Sequence, residues 1–139
     1  YQLSENLQIS LGGAFIEAEL TKTTQLGNDG DRLPSSPETS ANVGFNYDSD
    51  MGGNVFYIAG DYAYVGEMYN NVGETGVKVG DYGQLNMSAG MVFNQFDVQL
   101  FVNNLTDDDG LTHAERLFPG DRVFRLRPRT IGLNVGYQF

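Results

Sequence analysis

The chain contains no cysteine, which removes disulfide frameworks, thiolate metal sites and cysteine nucleophiles together. It has a single histidine, His113, so a multi-histidine zinc site within the chain is excluded as well. No apolar run approaches the roughly 20 residues that a membrane-spanning helix requires. Cations are scarce: 8 Lys and Arg stand against 18 Asp and Glu, for a formal charge of -10. A nucleic-acid partner is therefore not expected, because phosphate binding needs clustered positive charge. The first residue is Tyr1, with no basic stretch and no apolar signal core after it. Any signal peptide is expected upstream or already removed, and the chain reads as a fragment or processed product.

What is present leans towards β structure: 139 residues with 18 Gly, 8 Tyr and 9 Phe and few stretches of helical period. The mean hydropathy of -0.31 taken alone suggests a soluble protein. A barrel strand escapes that measure, since about 9–11 residues cross the bilayer with apolar and polar side chains in alternation.

Alternation is plainest in the last segment, Thr130 to Phe139. There Ile131, Leu133, Val135, Tyr137 and Phe139 oppose Thr130, Gly132, Asn134, Gly136 and Gln138, a period of two that a helix cannot use. Upstream, Leu85, Met87, Ala89, Met91 and Phe93 share one side. After the Asn94-Gln95 turn, Phe96, Val98, Leu100 and Val102 do the same, which predicts a hairpin with one greasy face. Ala41, Val43, Phe45 and Tyr47 form another such row, as do Leu7, Ile9 and Leu11. In Val55 to Val65 the alternation is less regular; Phe56, Ile58, Tyr62 and Tyr64 are assigned outward and Asp61 inward. About six strands result.

The linkers alternate long (21–38), short (48–54), long (67–80), short (94–95) and long (106–128). Bacterial outer-membrane barrels pair short periplasmic turns with longer external loops, so the rhythm predicts three external loops and a closing strand ending at the periplasmic rim. Tyr47, Tyr62, Tyr64, Tyr82, Phe93, Phe96, Tyr137 and Phe139 fall towards strand ends, where an aromatic girdle is expected. The competing fold is a soluble, secreted antiparallel β-sandwich that binds a ligand. Its solvated faces favour Lys, Glu and Thr, whereas the polar parity here carries Gly, Ser, Asn and Gln.

At these same residues the chain resembles the C-terminal β-barrel portion of the TonB-dependent outer-membrane receptor family, over essentially its whole length. The resemblance is carried by Asp31-Arg32-Leu33-Pro34-Ser35-Ser36-Pro37-Glu38 before a strand, Val102-Asn103-Asn104-Leu105-Thr106-Asp107 where a strand ends, and Arg127-Pro128-Arg129-Thr130-Ile131-Gly132 leading to Phe139. It implies an all-β antiparallel transmembrane barrel wall, with residues 1–139 as a C-terminal segment containing no plug domain. It also implies location in the bacterial outer membrane and import of a scarce solute such as a siderophore complex, cobalamin or a sugar. Energy would come through TonB, contacted by an N-terminal region absent from this chain. The implied partners are the remaining barrel strands, the plug domain and the barrel-assembly machinery, for which Tyr137 and Phe139 would serve as a signal. Membrane lipid would meet Leu85, Met87, Met91, Val98, Leu100, Ile131, Leu133, Val135 and Tyr137, and lipopolysaccharide is a further implied partner. A small non-transporting outer-membrane barrel or adhesin-like protein is the second reading. Six strands cannot easily close by themselves, since known single-chain barrels begin at 8.

No catalytic constellation is found, and neither an enzyme activity nor a cofactor is expected. Asp107-Asp108-Asp109-Gly110 with His113 and Glu115 could hold a hard cation, but the spacing fits no helix-loop-helix calcium loop, and a solvated acidic turn is the better reading. Arg116, Arg122, Arg125, Arg127 and Arg129 hold five of the eight cations. They are expected to pair with loop carboxylates rather than with lipopolysaccharide phosphates. The stretches 111–127 and around Val77 are alternatively extra extracellular extensions or additional strands.

Overall fold

The computed structural model describes residues 1–117 and 120–138. Its main feature is one seven-stranded antiparallel sheet. The long strands are β2 (Leu7–Phe15), β3 (Thr39–Asp50), β4 (Val55–Val65), β7 (Tyr82–Phe93), β8 (Phe96–Asn103) and β11 (Thr130–Tyr137), with the short β1 (Gln2–Ser4) beside β2. Neighbours in the sheet follow chain order, as in a meander. The connections between β4 and β7 and between β8 and β11 each contain a small hairpin of their own: β5 (Met68–Tyr69) with β6 (Lys78–Val79), and β9 (Leu111–Leu117) with β10 (Gly120–Arg125). The six expected long strands are therefore present. The stretches around Val77 and within 111–127 also contain strands, β6 in the first and β9 and β10 in the second.

The turns explain the register. Between β7 and β8 the two-residue turn places Asn94 at φ +52°, a left-handed conformation that Asn tolerates better than most residues. Between β3 and β4, Gly52 and Gly53 take positive φ, and Asp50 Oδ1 accepts the Gly53 N–H at 2.9 Å. At the same end of the sheet the last strand is tied down, because Tyr137 donates its hydroxyl to Gln95 Oε1 at 2.7 Å.

Each register keeps the two parities apart. One row runs Leu7, Tyr47, Ile58, Ala89, Leu100, Leu133 across six strands, and the next runs Ile9, Phe45, Gly60, Met87, Val102, Ile131. On the other side one row reads Gln8, Asn46, Ala59, Ser88, Phe101, Gly132. A one-residue slip in any strand would invert it. The apolar side lacks a second layer among the described residues: Ile131, Leu133 and Val135 are 66%, 63% and 62% exposed. That removes the sandwich, whose inner face would be covered. The sheet does not close, as expected for part of a larger barrel wall.

Glycines let large side chains lie flat on the sheet. On the polar side the Tyr57 ring covers Gly90 and the Phe101 ring covers Gly132, where an added Cβ would collide with each ring. Tyr57 thereby crosses β7 and donates its hydroxyl to Asp97 Oδ1 on β8 at 2.8 Å. Gly90→Ala is expected to cost about 1–2 kcal/mol by overpacking. The paired change Tyr57→Ala with Gly90→Ala should recover most of the clash component, measured in urea unfolding.

Candidate functional site

Three surfaces carry the chemistry: the apolar face, the polar face, and the cap built by the three long connections. The apolar face gathers all nine residues expected to face the membrane. Leu85, Met87 and Met91 lie on β7, Val98 and Leu100 on β8, and Ile131, Leu133, Val135 and Tyr137 on β11, all in one parity. At the end bearing the short turns, Phe93, Phe96 and Tyr137 form an aromatic row with ring centroids 5.8 and 5.1 Å apart. Tyr62 and Tyr64 lie nearer the other end of the same face. Tyr82 departs from the expected girdle. It shares the parity of Gln84 and its side chain packs against Gly110, because residue type suggested the face where parity decides it. Phe139 lies outside the described residues.

The polar face is lined by Ser, Asn, Gln and Asp, with Asp61 near its middle. Asn86 Nδ2 donates to Asp61 Oδ2 at 2.9 Å, and Asn86 Oδ1 accepts the Asn104 N–H at 3.0 Å. A basin of about 420 Å³ opens beside Asp61, with Ser10, Gly44, Asn46, Ser88 and Phe101 around it.

The cap is held together by contacts between distant segments. Arg32, in the first long connection, has a side chain only 15% exposed. Its Nη1 lies 2.8 Å from Glu74 Oε1 in the second connection and 3.3 Å from Glu38 Oε1. The hydrogen bond to Glu74 is the main influence raising the Arg32 pKa above its usual value. Lys78 is likewise raised, by its hydrogen bond to Glu67. The contribution of that pair is whole below the ordinary lysine pKa and fades as pH rises through the higher folded value. Being exposed, it adds little.

Arg32→Ala should detach the first connection from the second, read as faster protease cleavage within 16–38. Arg32→Lys should rescue only part of this, since one ammonium cannot reproduce the guanidinium fork. Below the clamp, Met68, Val79 and Ala114 form a small buried cluster, and Asn70 Nδ2 donates to Ala114 O at 3.0 Å.

The acidic turn is fully engaged. Asp107 Oδ1 accepts the Arg129 N–H at 2.8 Å, Asp108 accepts the Gly83 and Gly110 N–H groups, and Asp109 Oδ2 lies 2.9 Å from Arg125 Nη1. Among the described residues no metal-holding cluster forms, and Arg125 and Arg129 take the loop ion pairs expected of them. His113 sits 5.8 Å from the Phe124 ring and 3.8 Å from Glu115, a surface contact.

Asn104, within the motif singled out in the sequence, is the residue whose role was missed. It is 1% exposed, takes φ +51°, donates to Asp108 O and Arg127 O, and accepts the Asp108 N–H. Its signal was local: an Asn directly after a strand and before an acidic turn.

A family model described as TonB dependent receptor-like, beta-barrel, matches residues 1–105. The fold is also that of solved receptors. The ferric yersiniabactin uptake receptor FyuA from Yersinia pestis superposes with a TM-score of 0.87 at 19% identity, over 100% of this chain and 22% of that one. BauA, the ferric preacinetobactin receptor from Acinetobacter baumannii, gives 0.79 at 24% identity, over 99% and 20%. The chain thus spans about a fifth of the length of these proteins.

Proposed function

Because the chain belongs to the TonB-dependent receptor-like β-barrel family, we propose that it forms the C-terminal wall of an outer-membrane active transporter for a scarce solute, energised through TonB. The observation that carries this reading is the unbroken apolar face on a single-layer sheet. Rows of Leu, Ile, Val, Met and aromatic side chains exposed on that scale are unfavourable in water. In a bilayer they meet acyl chains.

In this reading Leu85, Met87, Met91, Val98, Leu100, Ile131, Leu133, Val135 and Tyr137 touch lipid. The two sheet edges pair with the remaining strands, since an open edge in hydrocarbon leaves backbone groups unsatisfied. A plug domain fills the space against the polar face, and the loop cap faces outward, bordered by lipopolysaccharide. The members of this family are transporters rather than enzymes. One solved neighbour is an uptake receptor for ferric yersiniabactin and the other a receptor for ferric preacinetobactin, which favours an iron chelate among the candidate solutes.

The test is uptake of a labelled ferric siderophore by cells carrying the full-length receptor, with and without a protonophore. Gradient-dependent uptake is expected across a siderophore panel. Uptake unaffected by collapse of the gradient, or recovery of the receptor outside the outer-membrane fraction, contradicts the proposal. The closing strand supplies a second check. Deleting Phe139 is expected to lower the yield of assembled receptor several-fold while leaving synthesis unchanged, and an unaltered yield removes the assembly-signal role of Tyr137 and Phe139.

A further inference from the structure

We propose that the basin beside Asp61 receives an arginine side chain from a protein segment lying against the polar face. This rests on the reading above that a further domain fills the lumen, and goes beyond it by naming the contact. Charge is the first argument. None of the eight Lys and Arg lies on the six long strands, whereas the polar parity carries Asp48, Asp50, Asp61 and Asp97. Asp97 is occupied by the Tyr57 hydroxyl and Asp50 by its own turn, and Asp48 lies towards the short turn, outside the basin. Asp61 stands in mid-strand, exposed. Its Oδ2 is held by Asn86, while its Oδ1 has no partner among the described residues.

A surface covering this face takes Asp61 out of water. An unpaired carboxylate there is costly, so the cover must bring a cation that the face itself lacks.

Shape narrows the cation to a guanidinium. Gly44 is the residue opposite Asp61 on β3, and a Cβ built there would come within 2.7 Å of Ser10 Oγ. The glycine therefore keeps the basin open beside the carboxylate. Asn46 and Ser88 add acceptor oxygens at its border, and Phe101 supplies an aromatic surface. A planar group with five donors can use a carboxylate oxygen, neutral acceptors and a ring together; an ammonium presents a single point charge.

The experiment uses the full-length receptor in detergent, in a cysteine-free background, with Ser88→Cys in the basin and Asn71→Cys in the cap as the exposed reference. A maleimide should label Ser88→Cys at least about tenfold more slowly than Asn71→Cys. Adding Asp61→Arg should bring it close to the reference rate, with Asp61→Asn intermediate and Asp61→Glu near the parent, a loosening of the size expected when a buried ion pair is broken. Heat-modifiable migration on gels verifies that each variant is an assembled barrel, and the isosteric Asp61→Asn keeps the test open if Asp61→Arg does not assemble. Slow labelling that no Asp61 substitution alters overturns the arginine contact and leaves the covering domain standing. Fast labelling in the parent overturns both.

Discussion

Leu133→Arg is expected to lower the unfolding free energy of the lipid-embedded receptor by about 2–4 kcal/mol, while Asn134→Arg, one residue further on, costs about 1 kcal/mol. Leu133 pairs with Leu100, in a row that reaches back through Ala89, Ile58 and Tyr47 to Leu7. Rows lie on either side of it, ending at Phe93, Phe96 and Tyr137 towards the short turns and at Tyr62 and Tyr64 towards the cap. Leu133 is therefore near the middle of the apolar band, where a guanidinium has the furthest to reach for water. Asn134 faces the other way and gives up a single hydrogen bond, from its Nδ2 to Gln99 Oε1 at 3.0 Å. The measurement is a refolding titration in vesicles. Equal losses for the two variants would contradict the assignment of faces and with it the membrane reading.

The same pair of residues shows why so much of the wall was legible. Leu133 and Asn134 announce their sides by parity alone, a local property of any strand, and β2, β3, β4, β7, β8 and β11 all follow from it. Where the signal was not local, parity alone did not carry it. In β9, Thr112, His113, Ala114 and Glu115 follow no apolar alternation; Ala114 is buried because Met68 and Val79 arrive from another connection. β1 is three residues long and carries no period to read. Tyr82 was given to the girdle by residue type against its own parity. Phe101 interrupts the polar row for a reason held on the neighbouring strand, where Gly132 leaves room for its ring.

The candidate site divides in the same way. That the nine apolar positions share one face could be read from the chain, since parity is a matter of alternation. Arg32 could be seen only as part of a motif, because its partner Glu74 lies 42 residues away. The clamp exists only once two connections have been brought together. Asp61 could be assigned an inward side, but the space beside it depends on Gly44 and Ser10 from two other strands.

Asn104→Ala is expected to cost about 3 kcal/mol, near the upper range for a single substitution. Its side chain is enclosed, and both of its donor contacts end on backbone carbonyls, Asp108 O at 2.9 Å and Arg127 O at 2.8 Å. Its Oδ1 takes the Asp108 N–H at 3.0 Å. Removing the amide strands three backbone groups, each worth about 1–3 kcal/mol when left buried and unpaired, with water able to recover part of the loss. Alanine adds a conformational penalty at φ +51°, of order 1 kcal/mol. Asn104→Gly separates the two contributions, because glycine accepts the left-handed backbone but supplies no amide. Urea unfolding in vesicles should therefore rank the parent above Asn104→Gly and Asn104→Gly above Asn104→Ala. The gap between the two variants should be the smaller one. If Asn104→Gly matches the parent, the amide is dispensable, and the exit of β8 is held instead by Asp107 and its contact with the Arg129 N–H.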